Sequence, residues 1–341
     1  MNKILQLFDE EFVIDLFNKE VLPHYPEFTK IVGVKIKPYK NLVWRVTYHV
    51  VIGFDVRFLK INGEEEKVLI VCSAHSEEPR KNIYLALEYL WATGLHDKFI
   101  DLPEPLFYSE EFNGTFYRGL RGENLLYYIR HQEADIVTEI VSEAAKIFAR
   151  LHSLPNVSET NFNLENSRIK TVVPGITKIF REMGARYNNK YNDDLVKLYD
   201  YFIEHEEAYF SKGGQSVLIH GDAHPENIIR TAPNHLGLID FTDLCLGDRA
   251  RDIGTFIQQL EYKIRIRDEA WSNKMKDLFL ATYLKEANLD LSADLQARIN
   301  LYYNWTAIRT ATYWFLKFDY NEKSAKSLLE EVKNNLKSEL K

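Results

Sequence analysis

The hydrophobic pattern of the chain changes near residue 122, and this change restricts the folds that it can adopt. Before that point, β-branched and aromatic residues occur in short runs, such as residues 42–50 and 67–72, which are typical of strands. After it, apolar residues recur at intervals of three and four, as in residues 136–154, which predicts amphipathic helices. The pattern predicts an α+β chain, with a β-rich N-terminal lobe over residues 1–118 and a mainly helical C-terminal lobe over residues 119–341.

Turn signals divide the strands of the first lobe. Asn62-Gly63, between two runs typical of strands, is a strong signal for a two-residue hairpin. Asn113-Gly114 separates a later pair of predicted strands in the same way. Residues 38–41, which begin with a proline, predict a further turn.

Helical spacing of apolar residues also occurs elsewhere in the chain. It predicts helices over residues 4–20 and 78–93, and one or two helices over residues 172–208. A β-rich island over residues 216–241 interrupts the helical lobe, and long amphipathic helices follow it. We expect the join between the lobes within residues 116–122.

Composition limits the partners of the chain. Its 341 residues include 43 Lys and Arg against 50 Asp and Glu, a net charge of −7 that argues against a nucleic-acid-binding protein. Its two cysteines, Cys72 and Cys245, are too few for a disulfide framework. No apolar run approaches the roughly 18 residues that a membrane-spanning helix requires. We therefore predict a cytoplasmic protein that binds neither nucleic acid nor a membrane.

The residues suited to chemistry are concentrated in the β-rich island. One apolar run ends at His220-Gly221-Asp222, a second starts at Asn227, and a third ends at Asp240. Phosphoryl transfer requires a carboxylate that orients an incoming hydroxyl, and Asp222 is suited to that role. It also requires oxygen ligands for Mg²⁺, which Asn227 and Asp240 can provide. The spacing of Asp222 and Asn227 matches that of a kinase catalytic loop.

The joint pattern His-Gly-Asp-x-x-x-x-Asn and Ile-Asp-Phe-x-Asp resembles the aminoglycoside phosphotransferase and choline kinase group. The resemblance covers residues 105–260 well and the first hundred residues in outline. It implies a bilobal protein-kinase-like fold, with a nucleotide-binding first lobe and a catalytic, substrate-binding second lobe. It also implies phosphorylation of a small-molecule hydroxyl by ATP or GTP with Mg²⁺.

The resemblance carries roles to individual positions of this sequence. Asp222 resembles the catalytic base, and Asn227 and Asp240 resemble the two metal ligands. His220 resembles the residue that braces the catalytic loop, and Asp252 resembles a buried acid that supports this loop from the following helix. We expect the three oxygen-bearing side chains to converge on one divalent cation.

Two further residues of the β-rich island and its end, His224 and Asp243, have open interpretations. His220, Asp222 and His224 together could instead form a metallohydrolase cluster, but that class usually needs further histidines, and only His235 follows. His224 is otherwise a loop residue near the phosphates or a surface group. Asp243 is a candidate either for assisting the metal or substrate or for a structural hydrogen bond.

The sequence departs from the family pattern in the first lobe. Kinase-like folds usually carry a strand lysine that contacts the nucleotide phosphates, yet none of residues 70–72 is basic. Lys60 and Lys67 are the candidates for this role, and the alternative for Lys60 is a solvated hairpin lysine. A separate candidate for phosphate binding is Lys40, which would act as a point charge. The predicted turn over residues 38–41 would occupy the position of a nucleotide loop, although it lacks glycine.

The acceptor is the least constrained part of the prediction. An aromatic segment within residues 302–315 could form a wall for a sugar or a cationic amine, but packing in the helical core explains it better. We expect a sugar, an amino alcohol or an aminoglycoside as the acceptor. Because the strand lysine is missing, the alternative function is a nucleotide-binding pseudokinase or regulatory protein without turnover. A protein kinase is disfavoured, since the chain runs from Asp240 to Gly247-Asp248 without room for a long activation segment.

Overall fold

The computed structural model describes residues 2–172, 175–265, 267–317 and 321–339. Its strands are β1 (Phe28–Val43), β2 (Tyr48–Lys60), β3 (Glu65–His75), β4 (Ile100–Asp101), β5 (Glu104–Ser109), β6 (Gly114–Arg118), β7 (Glu123–Asn124), β8 (Val217–Ile219), β9 (Ile228–Ala232), β10 (His235–Leu238) and β11 (Cys245–Gly247). Its helices are α1 (Glu10–Glu20), α2 (Lys81–Ala92), α3 (Leu125–Arg130), α4 (Ala134–Leu151), α5 (Ile176–Tyr187), α6 (Asn192–Ser211), α7 (Arg249–Arg265), α8 (Glu269–Glu286), α9 (Ala293–Leu316) and α10 (Glu322–Asn335).

Contacts divide the chain into two compact units. The sheet unit comprises Met1–Glu123 and Ile229–Thr242, and the helical unit comprises Asn124–Ile228 and Asp243–Lys341. The predicted α+β class is confirmed, since the N-terminal region is rich in strands and the C-terminal region is helical. The assignment of nucleotide binding to residues 1–118 and of catalysis to residues 119–341 stays a prediction.

The sheet unit is built on an antiparallel sheet with the strand order β1-β2-β3-β6-β5. On β2, alternate residues from Val50 to Phe58 are fully buried, because successive side chains of a strand point to opposite faces. Helix α1 covers this buried face, and the Phe17 ring meets the Phe54 ring edge-on at 5.1 Å between centroids. The core of the sheet unit therefore lies between α1 and one face of the sheet.

The prediction of one strand over residues 42–50 is wrong, because a hairpin turn lies within it. Strand β1 ends at Val43, β2 begins at Tyr48, and the Trp44 N–H donates to the Thr47 carbonyl at 2.9 Å. The apolar pattern continues through this turn because Trp44 and Val46 are apolar. In the structure, however, these two side chains are 57% and 72% exposed. The hydrophobic pattern alone could not reveal this reversal of the chain.

The predicted turn over residues 38–41 is also wrong, since these residues lie within β1 and pair with β2. A bulge separates Pro38 from Lys40 in this pairing. Strand β1 is at the edge of the sheet, where a proline without an N–H does not interrupt a ladder on its outer side. The turn signal at Asn62-Gly63 is confirmed, because it joins β2 to β3 and Gly63 has a φ of +88°.

The predicted helices exist with adjusted ends. The segment over residues 4–20 is a short 3₁₀ helix followed by α1, because the Asp9 side chain accepts from the Phe12 N–H at 2.9 Å and caps α1 there. Helix α2 confirms the prediction over residues 78–93. Over residues 172–208 the structure has α5 and the larger part of α6, while residues 173 and 174 lie outside the described residues.

The core of the helical unit is formed by packed aromatic side chains from α4, α7 and α8. The rings of Phe256 and Phe279 stack with centroids 4.4 Å apart, and Phe148 lies 5.5 Å from Phe256. Within the aromatic segment of α9, Tyr302, Trp305 and Phe315 are buried to 1%, 0% and 0% exposure, which confirms the core interpretation for these three. In the described parts of the chain, no helix has both the length and the apolar character needed to cross a bilayer.

The β-rich island contributes short strands to both units. In the sheet unit, β9 and β10 form a hairpin whose turn residue Asn234 has a φ of +59°, and β10 pairs in parallel with β4. In the helical unit, β8 pairs with β11. The strands β8 and β10 end just before His220 and Asp240, so each fixes the start of a segment with candidate functional residues.

Candidate active site

The loop after β8 requires glycine at its centre. Gly221 has a φ of +83°, and a Cβ at this position would lie 2.2 Å from the backbone oxygen of Asp243. A side chain at residue 221 would therefore be strained by its backbone conformation and would also collide with the neighbouring chain. The loop approaches Asp243 this closely only because residue 221 is glycine.

The buried carboxylate of Asp252 on α7 holds the backbone of this loop. It accepts hydrogen bonds from the N–H groups of His220 and Gly221 at 2.7 and 3.0 Å. The Nε2 of His152 lies 3.0 Å from the same carboxylate, and its Nδ1 lies 2.8 Å from the Tyr283 hydroxyl. Burial opposes ionisation of Asp252, but hydrogen bonds from the His152 ring and the His220 N–H, together with the electrostatic influence of both residues, keep its pKa below the usual range.

The side chain of Asn227 closes the loop over Asp222. Its Nδ2 donates to the Asp222 carbonyl at 3.0 Å, and its own N–H donates to the His224 carbonyl at 3.0 Å. Because the amide nitrogen is used within the loop, the amide oxygen is directed away from that bond and can serve as a metal ligand. The short spacing between Asp222 and Asn227 thus has a structural reason.

Asp222 and His224 lie next to each other in the loop. His224 Nε2 is 3.4 Å from Asp222 Oδ2, and His224 Nδ1 accepts from the Glu226 N–H at 3.2 Å. Because Nδ1 accepts, the ring proton is on Nε2, facing Asp222. Burial opposes the charge of Asp222, yet the hydrogen bond from His224 and the electrostatic influence of His224, Arg309 and His220 hold its pKa well below the usual range. The Asp222 side chain is 36% exposed, so an ionised carboxylate is accessible in this loop.

Asp243 lies at the close approach to Gly221 in the helical unit. The Asn163 Nδ2 donates to its Oδ1 at 3.4 Å, a long hydrogen bond. This contact fits the structural interpretation of Asp243, and a role in assisting metal or substrate stays a prediction.

Asp240 belongs to the sheet unit and has a φ of +65°. The Thr242 hydroxyl donates to its Oδ1 at 2.7 Å, and the Thr242 carbonyl accepts from Asn82 Nδ2 at 2.9 Å. Helix α2 thereby anchors the segment that carries Asp240. A carboxylate with one oxygen held in this way can still offer the other to a cation. The convergence of Asp240 with Asp222 and Asn227 on one ion stays a prediction.

The candidate lysines Lys60, on β2, and Lys40, on β1, lie far apart along the sheet. Lys60 ends this strand and forms an ion pair with Glu66 at 2.7 Å beside the hairpin turn. Lys40 lies opposite Val51, nine residues from Lys60 along β2, which corresponds to roughly 30 Å. One nucleotide phosphate cannot contact both lysines.

A comparison with protein-family models finds a match over residues 52–293, which is most of the chain. The matching model is the phosphotransferase enzyme family. The chain belongs to this family. A comparison with curated proteins finds no match. Membership supports phosphotransferase activity and does not favour either the metallohydrolase cluster or the nucleotide-binding protein without turnover.

Solved structures of small-molecule kinases share the fold of this phosphotransferase. The Plasmodium vivax ethanolamine kinase is 17% identical, with a TM-score of 0.56 over 88% of this chain and 82% of that one. Spectinomycin phosphotransferase in complex with ADP and spectinomycin is 10% identical, with a TM-score of 0.55 over 95% and 94% of the two chains. An amicoumacin kinase with AMP-PNP and Ca²⁺ is 12% identical, with a TM-score of 0.54 over 87% and 88%. The predicted protein-kinase-like fold is confirmed.

Asn227 and Asp240 each carry an oxygen donor of the kind that Mg²⁺ prefers. Mg²⁺ prefers oxygen ligands and usually binds through one or two protein groups together with nucleotide phosphates and water. Asn227 and Asp240 offer an amide and a carboxylate oxygen of this kind. Over the described ranges, no group of three or more His, Cys, Asp or Glu side chains is arranged to hold a metal ion.

Sequence reasoning missed several residues that support the loop. His152, which is 3% exposed, connects Asp252 to Tyr283, and its signal was a lone histidine at the end of the apolar helix α4. Arg251 is fully buried, and its Nη2 donates to the Gly221 carbonyl at 3.3 Å. Arg251 gave no signal in the sequence, because its burial depends on how α7 packs in the folded protein.

Proposed function

We propose that this phosphotransferase transfers the terminal phosphoryl group of ATP or GTP, bound with Mg²⁺, to a hydroxyl of a small molecule. The observation that carries the proposal is the braced loop of the helical unit. Its backbone is fixed by Asp252, and it presents an ionised, partly exposed Asp222 carboxylate. Positioning and charge neutralisation account for most of the catalysis of phosphoryl transfer, and a rigid loop supplies the positioning.

Asp222 accepts a hydrogen bond from the acceptor hydroxyl and orients its oxygen toward the phosphorus. Because the pKa of Asp222 is low, the carboxylate is a weak base and does not deprotonate a free alcohol. The proton moves to Asp222 as the new O–P bond forms and the bond to the leaving phosphate oxygen breaks. The adjacent His224 keeps Asp222 ionised until then.

Asn227 and Asp240 would hold the magnesium ion of the nucleotide. When bound, this ion neutralises charge on the phosphate oxygens. His220 and Asp252 keep the loop in place, and Asp243 maintains the close contact with Gly221. Among the candidate lysines we propose Lys40 for phosphate binding, because Lys60 is paired with Glu66 at 2.7 Å beside the hairpin turn. The charge of Asp240 also reaches Lys40 within the sheet unit and raises its pKa.

The acceptor class follows from the family alone. Sugars, amino alcohols and aminoglycosides each offer the hydroxyl that Asp222 would orient, and the aromatic residues buried in α9 leave less aromatic surface for an acceptor than the sequence suggested. The cytoplasmic location stays a prediction.

The proposal is tested by phosphoryl transfer to a panel of sugars, amino alcohols and aminoglycosides. Each reaction contains ATP or GTP, with Mg²⁺ or with EDTA, and mass spectrometry detects the phosphorylated product. We expect at least one acceptor to be phosphorylated by the wild type with Mg²⁺, and the product to be lost in Asp222→Ala. Asp200→Ala, an exposed aspartate on α6, is the matched control and should keep activity. Equal product from the wild type and Asp222→Ala would contradict the proposal.

A further inference from the structure

The sheet unit contains a group of basic side chains on β1, β2 and β3 and just before α2. We call Lys40, His49, His75 and Arg80 the Lys40–Arg80 cluster. Lys40 Nζ lies 3.1 Å from His49 Nε2, and the rings of His49 and His75 meet edge-on at 4.7 Å between centroids. His75 Nδ1 accepts hydrogen bonds from the N–H groups of Glu77 and Glu78 at 3.1 and 3.0 Å, which order the segment between β3 and Arg80.

Arg80 is buried without the partners that a buried guanidinium requires. It is 8% exposed, and within the described parts of the chain its Nε has no hydrogen-bond partner. Its Nη1 lies 3.4 Å from a carboxylate oxygen of Glu78, whose side chain is 55% exposed. A guanidinium has five N–H donors, so most of its hydrogen-bonding capacity remains for another group. A buried cation that is paired this weakly is costly to the folded protein.

The backbone at Arg80 is held firmly although the side chain is not. Its N–H donates to the Asn113 carbonyl at 3.2 Å, and its carbonyl accepts from the Thr115 hydroxyl at 2.5 Å. The guanidinium therefore starts from a fixed point at the beginning of α2. A fixed arginine whose donors are not used is suited to a planar or tetrahedral anion, which it can bind through two parallel hydrogen bonds.

The cluster lies beside the segment that carries Asp240. Asn82, two residues after Arg80, donates to the Thr242 carbonyl, and Thr242 in turn donates to Asp240. Partial desolvation of its ammonium group and the Arg80 charge lower the pKa of Lys40, while the charge of Asp240 raises it. Burial and the neighbouring cations lower the pKa of His49 to about 4, so the histidines are neutral near pH 7 and the positive charge resides on Lys40 and Arg80. Two cations near a proposed metal ligand match the charge of a polyphosphate.

We propose that Arg80, together with Lys40, binds the polyphosphate of the nucleotide and replaces the lysine that is missing from β3. The inference rests on the proposed function, because it concerns the same nucleotide. Arg80 reaches the phosphates from the start of α2 rather than from a strand. The unused donors of Arg80 are satisfied when the nucleotide binds, and the repulsion between Arg80 and Lys40 is relieved.

Isothermal titration calorimetry of the full chain tests this inference. Mg-ATP, Mg-GTP and the two nucleosides without phosphate are titrated into the wild type, Arg80→Gln, Arg80→Lys and Lys40→Gln. We expect Arg80→Gln to weaken the preferred Mg-nucleotide by at least about tenfold, and Lys40→Gln by roughly three- to tenfold, with nucleoside affinity unchanged. Arg80→Lys should recover part of the loss, because it keeps the charge but not the paired donors. Arg57→Gln, an exposed arginine on β2 paired with Glu65, is the matched control.

The outcomes separate this inference from the proposed function. A wild type that binds no Mg-nucleotide overturns the proposed function and this inference together. If the wild type binds and Arg80→Gln and Lys40→Gln bind equally well, only the inference is overturned. Should Arg80→Gln fail to fold, the exposed Lys40→Gln decides, and unchanged affinity in that variant overturns the inference. Equal weakening of nucleotide and nucleoside would also contradict it, since phosphate contacts cannot affect the nucleoside.

Discussion

The loop after β8 in the helical unit and the Lys40–Arg80 cluster of the sheet unit pair their polar groups in different ways. In the loop, the buried Asp252 carboxylate accepts from His220, Gly221 and His152. In the cluster, the Arg80 guanidinium has only the Glu78 ion pair among the described residues. Buried polar groups that are fully paired fix one conformation, whereas a weakly paired buried cation is stabilised most when an anion binds to it. Loop variants should therefore lose catalysis or stability, and cluster variants should lose nucleotide affinity.

The largest effect is expected from Asp222→Asn. It should lower kcat by about 10²- to 10⁴-fold, because the carboxylate that orients the hydroxyl and receives its proton is lost. The nucleotide KM should stay within about twofold, since Asp222 acts on the acceptor. Steady-state kinetics with saturating acceptor measures both constants. A raised nucleotide KM with unchanged kcat is the result expected of variants in the Lys40–Arg80 cluster, and it would contradict this role of Asp222.

Asp252→Asn should destabilise the protein even without ligand. Asparagine keeps one acceptor oxygen but loses the charge that three hydrogen-bond donors now share, so we expect the free energy of unfolding to fall by about 2–4 kcal/mol. Urea denaturation followed by tryptophan fluorescence measures this change. Asp200→Asn on the exposed surface of α6 should shift it by less than about 0.5 kcal/mol. Equal stability of the two variants would show that Asp252 does not brace the loop.

Gly221→Ala tests the tight backbone of the loop, and Gly213→Ala is its matched control. Both glycines have positive φ, +83° and +81°, but a Cβ at residue 213 meets no heavy atom within 4 Å in the described structure. Gly213→Ala should cost about 1 kcal/mol for its backbone conformation alone. Gly221→Ala should cost roughly 1–3 kcal/mol more, because its Cβ collides with the Asp243 carbonyl. Thermal and urea denaturation compare the two, and equal losses would contradict the close approach.

The pH dependence of stability should report the ionised Asp252. Its pKa is lower in the folded state than the roughly 3.9 of an unfolded aspartate. Its contribution is therefore complete above about pH 4 and is lost as the pH falls through the lower, folded pKa. Between about pH 6 and about pH 3, the wild type should lose up to about 1 kcal/mol more than Asp252→Asn. If urea denaturation showed the same change of unfolding free energy with pH for both proteins, Asp252 would not be charged in the folded state.

The smallest effect on stability is expected from Lys40→Gln. Without nucleotide, the free energy of unfolding should change by less than about 0.5 kcal/mol, because Lys40 is exposed and its loss also relieves repulsion with Arg80. The same urea denaturation measures it. A loss of stability as large as that of Asp252→Asn would remove the contrast between the two regions.

Features that depend on residues close in sequence were predictable. The turn at Asn62-Gly63 and the hydrogen bond between Asn227 and Asp222 each involve only a few consecutive residues, so both can be predicted from the sequence alone. The reversal at residues 44–47 was not predictable, because exposed apolar residues continued the strand pattern through it. Arg80 carried no signal either, since a basic residue before a helix is ordinary until its burial is known.

The sequence by itself determined the change from strands to helices and the motif that identifies the phosphotransferase family, because both are written in local patterns of residue type. Only the tertiary structure decided that Asp252, which holds the loop after β8, shares a hydrogen bond with His152, 100 residues away. It also decided that Lys40, and not Lys60, lies in the cluster with Arg80. Burial and pairing between distant residues depend on packing, and packing sets the free energy of each polar group in ways that the order of residues does not display.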